Sequence, residues 1–199
     1  MSRNLLASLQ FAGVALAASA LCGCSSDPYQ SMASTEGEGV VAAARAVVQD
    51  FSLPAVNGDG AFKLSDARGE WVALHFLLKT DCPICMGLTR EYTTRADEAP
   101  GVRQVFIKPD ESADTLRWLK TYPDSAGEAP NVYRDADAAL ADRLGIPDGY
   151  FFHGETVHYP AVVLIDPQGR EAFRYVGTRT QDRLKFDDFL AQLKTLRGS

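Results

Sequence analysis

The chain has no excess of positive charge, with 20 Lys and Arg against 26 Asp and Glu and a formal net charge of −6. Nucleic-acid binding would call for a basic stripe, so that class of function is set aside. Metal-ligating side chains are also few, at three histidines and four cysteines among 199 residues. There is one CxxC pair and no second, so the paired motif of a four-cysteine zinc site is absent. A mixed site would have to draw two more ligands from His75, His153 and His158. No internal repeat organises the sequence. The longest apolar run, residues 5–21, is marginal in length for a membrane span and is broken by Ser8, Gln10 and Ser19.

With 46% hydrophobic and 23% charged residues, the rest of the chain can fill one core and suits one globular domain with appendages. The cysteines divide by position into Cys22 and Cys24 near the N-terminus and the tight pair Cys82 and Cys85, which does not read as a disulfide framework. Arg3 followed by the run 5–21 has the layout of a secretory signal. Its end, Leu21-Cys22-Gly23-Cys24, resembles the lipobox of bacterial lipoproteins. That resemblance implies cleavage after residue 23, a lipid on Cys24 and attachment to a membrane, with plain secretion as the alternative. The implied location is extracytoplasmic, on the periplasm side, where disulfides persist. Ser25 after the cysteine resembles the pattern sorted to an outer membrane. Residues 25–39, rich in Ser, Asp, Glu and Gly, read as a flexible tether. The expected division is a signal over 1–23, lipidated cysteine and tether over 24–46, and a domain over 47–199. Residues 40–48, apolar and Ala-rich, predict a short helix leading into that domain.

Within the domain, two short alternating pieces around Leu53 and Leu64 flank Asn57-Gly58-Asp59-Gly60 and predict an N-terminal β-hairpin. Residues 71–78 have the near-continuous apolarity of a central strand covered on both faces. A helix is predicted over 83–99, a strand over 102–107, a helix over 112–122 and a short helix over 135–144. Strands over 161–166 and 170–176 and an amphipathic helix over 181–196 follow, the last with Leu184, Phe186, Phe189, Leu190 and Leu193 as core contacts. This order says α/β, with a mixed central sheet flanked by helices.

Lys79-Thr80-Asp81-Cys82-Pro83-Ile84-Cys85-Met86 sits at a strand-to-helix junction, with Pro83 at the favoured first helical position. Cys82 there lies at the positive end of the helix dipole, which lowers a thiol pKa. Cys85 lies one turn further on, within reach of a mixed disulfide made by Cys82. The residues therefore point to dithiol–disulfide exchange, with Cys82 as nucleophile and Cys85 as resolving thiol. Asp81 opposes thiolate formation. His75, seven residues before Cys82, either accepts a proton from Cys85 or is a hydrogen-bonded core histidine. Lys79 favours a thiolate or is a solvated loop lysine, and Met86 reads as packing. Trp71 and Trp118 are candidate core residues. Tyr150-Phe151-Phe152-His153 lines a groove or tucks onto the domain.

The element order, the CPIC at the first strand-to-helix turn, and Tyr159-Pro160 before a strand ending in Leu164-Ile165-Asp166-Pro167-Gln168-Gly169 resemble the thioredoxin-like fold, in its redoxin (AhpC/TSA-like) branch. The resemblance implies a cis bond at Tyr159-Pro160, with those residues offering backbone to a substrate beside the cysteines. It implies a thiol-disulfide oxidoreductase with no cofactor beyond the Cys82–Cys85 disulfide. Its partners would be client proteins with thiols or disulfides and a separate redox partner. Two alternatives stay open. A peroxiredoxin-like peroxidase would use Cys85, although Cys82 and Leu78 stand where that family has Thr and Pro and its Arg near Tyr159-Pro160 is missing. Copper delivery of the Sco type would hold Cu(I) on Cys82, Cys85 and His158.

Overall fold

A computed structural model describes residues 40–42, 47–79 and 81–198; the expected signal, Cys24 and the tether through residue 39 lie outside the described residues. In chain order the elements are β1 (Val40–Ala42), β2 (Ser52–Pro54), β3 (Ala61–Lys63), β4 (Trp71–Phe76), α1 (Pro83–Thr94), β5 (Val102–Lys108) and α2 (Ser112–Leu119). They continue with β6 (Val132–Arg134), α3 (Ala139–Arg143), β7 (Asp148–Phe152), β8 (Glu155–His158), β9 (Ala161–Ile165), β10 (Glu171–Val176) and α4 (Phe186–Arg197). Six strands form one mixed sheet in the order β1-β10-β9-β4-β5-β6. The strands β4, β5 and β6 run parallel, whereas β9 is antiparallel to β4, β10 to β9, and β1 to β10. Among the described residues no helix is long and apolar enough to cross a membrane.

The central position of β4 accounts for its composition, since Val72 to Phe76 are all buried. Alternate residues feed two cores. Ala73 and Leu77 join α1, α2 and α4 through Cys85, Leu88, Tyr92, Trp118, Phe186 and Phe189. Val72, Leu74 and Phe76 join the β2–β3 hairpin and α3 through Leu53, Phe62 and Leu140. The sheet is thus covered on both faces, as a mixed α/β layer requires.

Several elements differ from the sequence-based expectations. Residues 40–42 form a strand rather than part of a helix, because the edge of β10 offers unpaired backbone and pairs Val40 with Val176; local Ala-rich propensity yields to that pairing. The first helix stops at Thr94, where the Thr93 and Thr94 hydroxyls bond back to the Thr89 and Arg90 carbonyls at 2.7 and 2.9 Å. The last begins at Phe186 rather than near 181, because side chains in the preceding loop occupy the backbone groups a helix would use. The Asp182 carboxylate accepts from the Thr178 N–H at 2.9 Å, and Arg183 donates to the Thr180 and Asp182 carbonyls at 2.7 and 2.8 Å. The strand pair β7–β8 was not expected as such; His153 and Gly154 turn it with φ of 47° and 88°, the left-handed pair a tight hairpin needs.

The Tyr159–Pro160 bond is trans, since no cis peptide occurs among the described residues, which corrects the expectation drawn from resemblance. The Tyr159 N–H donates to the Pro147 carbonyl at 3.1 Å and the Pro160 carbonyl accepts from Gly177 at 2.8 Å. The backbone thereby enters β9 in the form that X–Pro bonds favour by about 0.5–1 kcal/mol.

Two buried side chains tie the helical layer to the sheet. Tyr92, 0% exposed, meets Phe186 and His75 edge-on and donates its hydroxyl to the Leu184 carbonyl at 3.1 Å. His75 stacks on Phe106 at 4.9 Å, and its Nε2 lies 2.7 Å from Gln104 Oε1. Tyr92→Phe is expected to cost about 1–2 kcal/mol by leaving the Leu184 carbonyl unpaired, and Tyr92→Ala about 3–5 kcal/mol by opening a cavity; urea midpoints measure both. Burial lowers the His75 pKa from 6.5 to about 4, so the unfolded chain binds more protons there between those values. The resulting stability is complete above about pH 6.5 and is lost as pH falls toward 4, by up to ~3 kcal/mol. Urea titrations at neutral and acid pH should show a steeper acid loss in the native sequence than in His75→Leu.

Candidate functional site

The chain leaves β4 through the buried residues Leu77 and Leu78 and turns at Lys79 and the exposed Asp81 into α1. Cys82 is the N-cap of that helix and Pro83 its first residue; the Cys85 N–H donates to Cys82 Sγ at 3.1 Å. The two cysteines are joined as a disulfide, with Cα atoms 5.1 Å apart. Their exposure is unequal: Cys85 is 0% exposed, whereas Cys82 is half-buried and Ile84 between them is 44% exposed. An attacking group from solvent can thus reach only the Cys82 sulfur.

Buried donors hold this loop from beneath. Lys108 Nζ donates to the Leu78 carbonyl at 2.8 Å, pairs with Asp110 at 3.1 Å and lies 4.7 Å from the centre of the Trp118 ring. Burial lowers the Lys108 pKa, against the opposing pull of Asp110 and Asp81. The Trp118 Nε1–H donates to the Cys82 carbonyl at 3.3 Å. Trp118 and Met86, with Asp81, Pro83, Arg117 and Thr121, line a groove of about 420 Å³ beside the helix start. On the other side Lys79 forms an ion pair with Glu155 of β8, so it is not a free loop lysine. Tyr150 of β7 bonds to the Lys79 backbone, and burial pushes its phenol up to about 12.

The residue missed by sequence reasoning is Arg183. Its Nη2 lies 3.4 Å from Cys85 Sγ and 3.7 Å from Cys82 Sγ, while Nη1 is fixed by the Thr180 and Asp182 carbonyls. Burial lowers its pKa to about 10, partly offset by Tyr150, Asp182 and Tyr175. Among the described residues no carboxylate pairs with it within ion-pair distance, because Asp182 is taken by Thr178 and the Tyr175 hydroxyl. No spacing could have linked Arg183 to a CxxC 98 residues away, and a helix starting at 181 would have left it on a solvated face.

The other expected site residues are distributed unevenly. Pro160 shares a small pocket with Leu88, Tyr175, Arg183 and Leu184, which puts it on the disulfide's side. The Tyr159 side chain packs into the opposite core with Phe76. His75 is in the cysteines' layer, but its hydrogen bond goes to Gln104. His158 is not brought to the sulfurs: its Nδ1 lies 2.7 Å from the Tyr159 carbonyl, its ring meets Phe76 edge-on, and burial lowers its pKa against the opposing charges of Asp135, Asp142 and Asp148. His153 packs on Phe152 in the β7–β8 turn. The Cu(I) set Cys82, Cys85 and His158 is therefore unassembled, and among the described residues no group of three His, Cys, Asp or Glu could hold a metal ion.

The fold is similar to that of a cysteine-to-serine mutant of peroxiredoxin 6 from Arenicola marina, at 19% identity over 78% of this chain and 74% of that one, with a TM-score of 0.68. The 2-Cys peroxiredoxin of Plasmodium vivax, reduced, matches at 18% identity over 79% and 98%, with a TM-score of 0.64. A Chlorobium tepidum protein described as a thiol:disulfide interchange protein DsbE matches at 25% identity over 75% and 97%, with a TM-score of 0.55. Among curated protein sequences none matches. Residues 44–170 match the AhpC/TSA family, a stretch that holds both cysteines and stops short of Arg183. With most of the domain inside that match and the sheet, helices and cysteine pair arranged on a thioredoxin-like fold, the chain belongs to the AhpC/TSA family.

Proposed function

We propose that this protein is a thiol-disulfide oxidoreductase that exchanges disulfides with client proteins through Cys82 and Cys85. The observation that carries the reading is the unequal exposure of a disulfide at a helix start, one sulfur half-buried and the other fully so. Cys82 Sγ forms the mixed disulfide with a client, and Cys85 either resolves it or leaves as it forms, depending on direction. The Cys85 N–H and the start of α1 favour charge on Cys82 Sγ. Ile84, exposed between the cysteines, gives a client apolar surface to rest on. The chemistry takes no metal or added cofactor, and a separate redox partner resets the pair. The likeness to the protein described as DsbE supports this reading.

The place of work belongs to the proposal too. The signal-like N-terminus and Cys24 support a domain that works outside the cytoplasm, lipid-anchored to a membrane by a tether.

A peroxidase is the second reading, favoured by one observation: the Arg183 guanidinium supplies the sulfurs with a donor that Tyr159-Pro160 lacks. Against it, Cys82 and Leu78 occupy the positions of the Thr and Pro that would hold a peroxide.

Reduced Cys85→Ser chain mixed with disulfide-bearing proteins is expected to accumulate mixed disulfides through Cys82, seen on non-reducing gels, and Cys82→Ser to accumulate none. Hydrogen peroxide consumption that survives Cys82→Ser and disappears in Cys85→Ser would reverse these roles in favour of the peroxidase. Cys24→Ala is expected to move the protein from the membrane fraction to the soluble fraction and to abolish lipid labelling; unchanged partitioning would remove the anchor from the reading.

A further inference from the structure

We propose that Arg183 is a catalytic residue that receives the Cys85 thiolate as counter-ion, and that it thereby poises the pair as an oxidant of client dithiols. The inference deepens the exchange reading and rests on it. Arg183 is half-buried and held at Nη1 by two backbone carbonyls of its own loop, which directs its Nη2 edge at the sulfurs. In the disulfide state that edge faces neutral sulfur, no carboxylate pairs with it among the described residues, and its Nε has no hydrogen-bond partner. A half-buried cation whose neighbouring carboxylate, Asp182, already bonds Thr178 and Tyr175 gains from a closer counter-charge. Reduction puts a thiolate on Cys85 Sγ, which in the disulfide already lies 3.4 Å from Nη2, and supplies that charge. The environment therefore favours the reduced, ionised pair over the disulfide, which makes the disulfide an electron acceptor. The contact to Cys85 is the shorter of the two, so the benefit falls on the sulfur that leaves.

The step balances within the pair. A client thiolate attacks Cys82 Sγ, the Cys82–Cys85 bond breaks, and its electron pair departs on Cys85 Sγ beside Arg183. The client's second thiolate then attacks the client sulfur of the mixed disulfide, and Cys82 leaves with that bond's electron pair. The client loses two electrons and gains a disulfide; Cys82 and Cys85 take up the two electrons. The two client thiol protons pass to solvent or to Cys82.

The test equilibrates the full chain in detergent with glutathione buffers and counts free thiols by alkylation shift. An opposite charge at this range moves a thiol pKa by at least one unit, so Arg183→Met is expected to shift the equilibrium toward the disulfide by about tenfold or more, with Arg183→Lys restoring part of it. An unchanged equilibrium in Arg183→Met, or a shift toward the dithiol, overturns the arginine's role. The native chain gives a second measure independent of any variant's folding. Its glutathione equilibrium plotted against pH changes slope where Cys85 ionises, expected below about pH 7 and overturning the proposal if it lies at the ordinary thiol value near 8.5. A native pair that does not exchange with glutathione at all sinks the exchange reading itself, an outcome distinct from either result on Arg183.

Discussion

The carbonyl of Leu78 takes its hydrogen bond from Lys108, a lysine with no solvent exposure, and the shape of the cysteine loop depends on that bond. A strand that ends beneath two covering layers leaves its last carbonyl groups out of reach of water, and an unmet one costs about 1–3 kcal/mol. Lys108 meets it from the next strand, Asp110 compensates the charge, and Trp118 covers the ammonium while its indole N–H holds the Cys82 carbonyl. The cysteine pair is thus presented by a frame of buried polar groups as well as by the sheet.

Charge around the disulfide is arranged by depth. Asp81 adjoins Cys82 in sequence but is exposed, where water weakens its field on the sulfur. Arg183 is remote in sequence but half-buried, within 3.7 Å of both sulfurs. A unit charge at about 4 Å acts with roughly 1 kcal/mol in water and about 4 kcal/mol at an effective dielectric near 20. The half-buried cation at contact distance therefore outweighs the exposed carboxylate, and reading charges by sequence proximity gives the opposite ranking.

That contrast marks what the sequence could reveal. Features set by local pattern were legible: the continuous apolarity of β4, Pro83 after the capping Cys82, the Asn57–Gly60 turn of the first hairpin, and the spacing of Phe186, Phe189 and Leu193 on the last helix. Features set by distant partners were not. The strand β1 exists because β10 has a free edge, and the trans bond at Pro160 follows from backbone bonds to Pro147 and Gly177. The β7–β8 hairpin carries His153-Gly154 where a plainer signal would be Asn-Gly. His158 was close to the cysteines in the reading drawn from resemblance, yet it lies against Phe76, which faces the other core. Arg183 is hidden for the same reason, since a loop built by side chains bonding backbone has no period to read.

The site is divided between the first strand-to-helix turn of the domain and the loop before its last helix. A chain delivered amino-terminus first presents both cysteines while Arg183 is still to come. The sulfurs then have the start of α1 and the neighbouring Asp81 to set their ionisation. Docking of the final helix, with Tyr92 gripping the Leu184 carbonyl next to Arg183, is therefore the event that completes the electrostatics. Maturation of the fold and maturation of the cysteines' reactivity are one step.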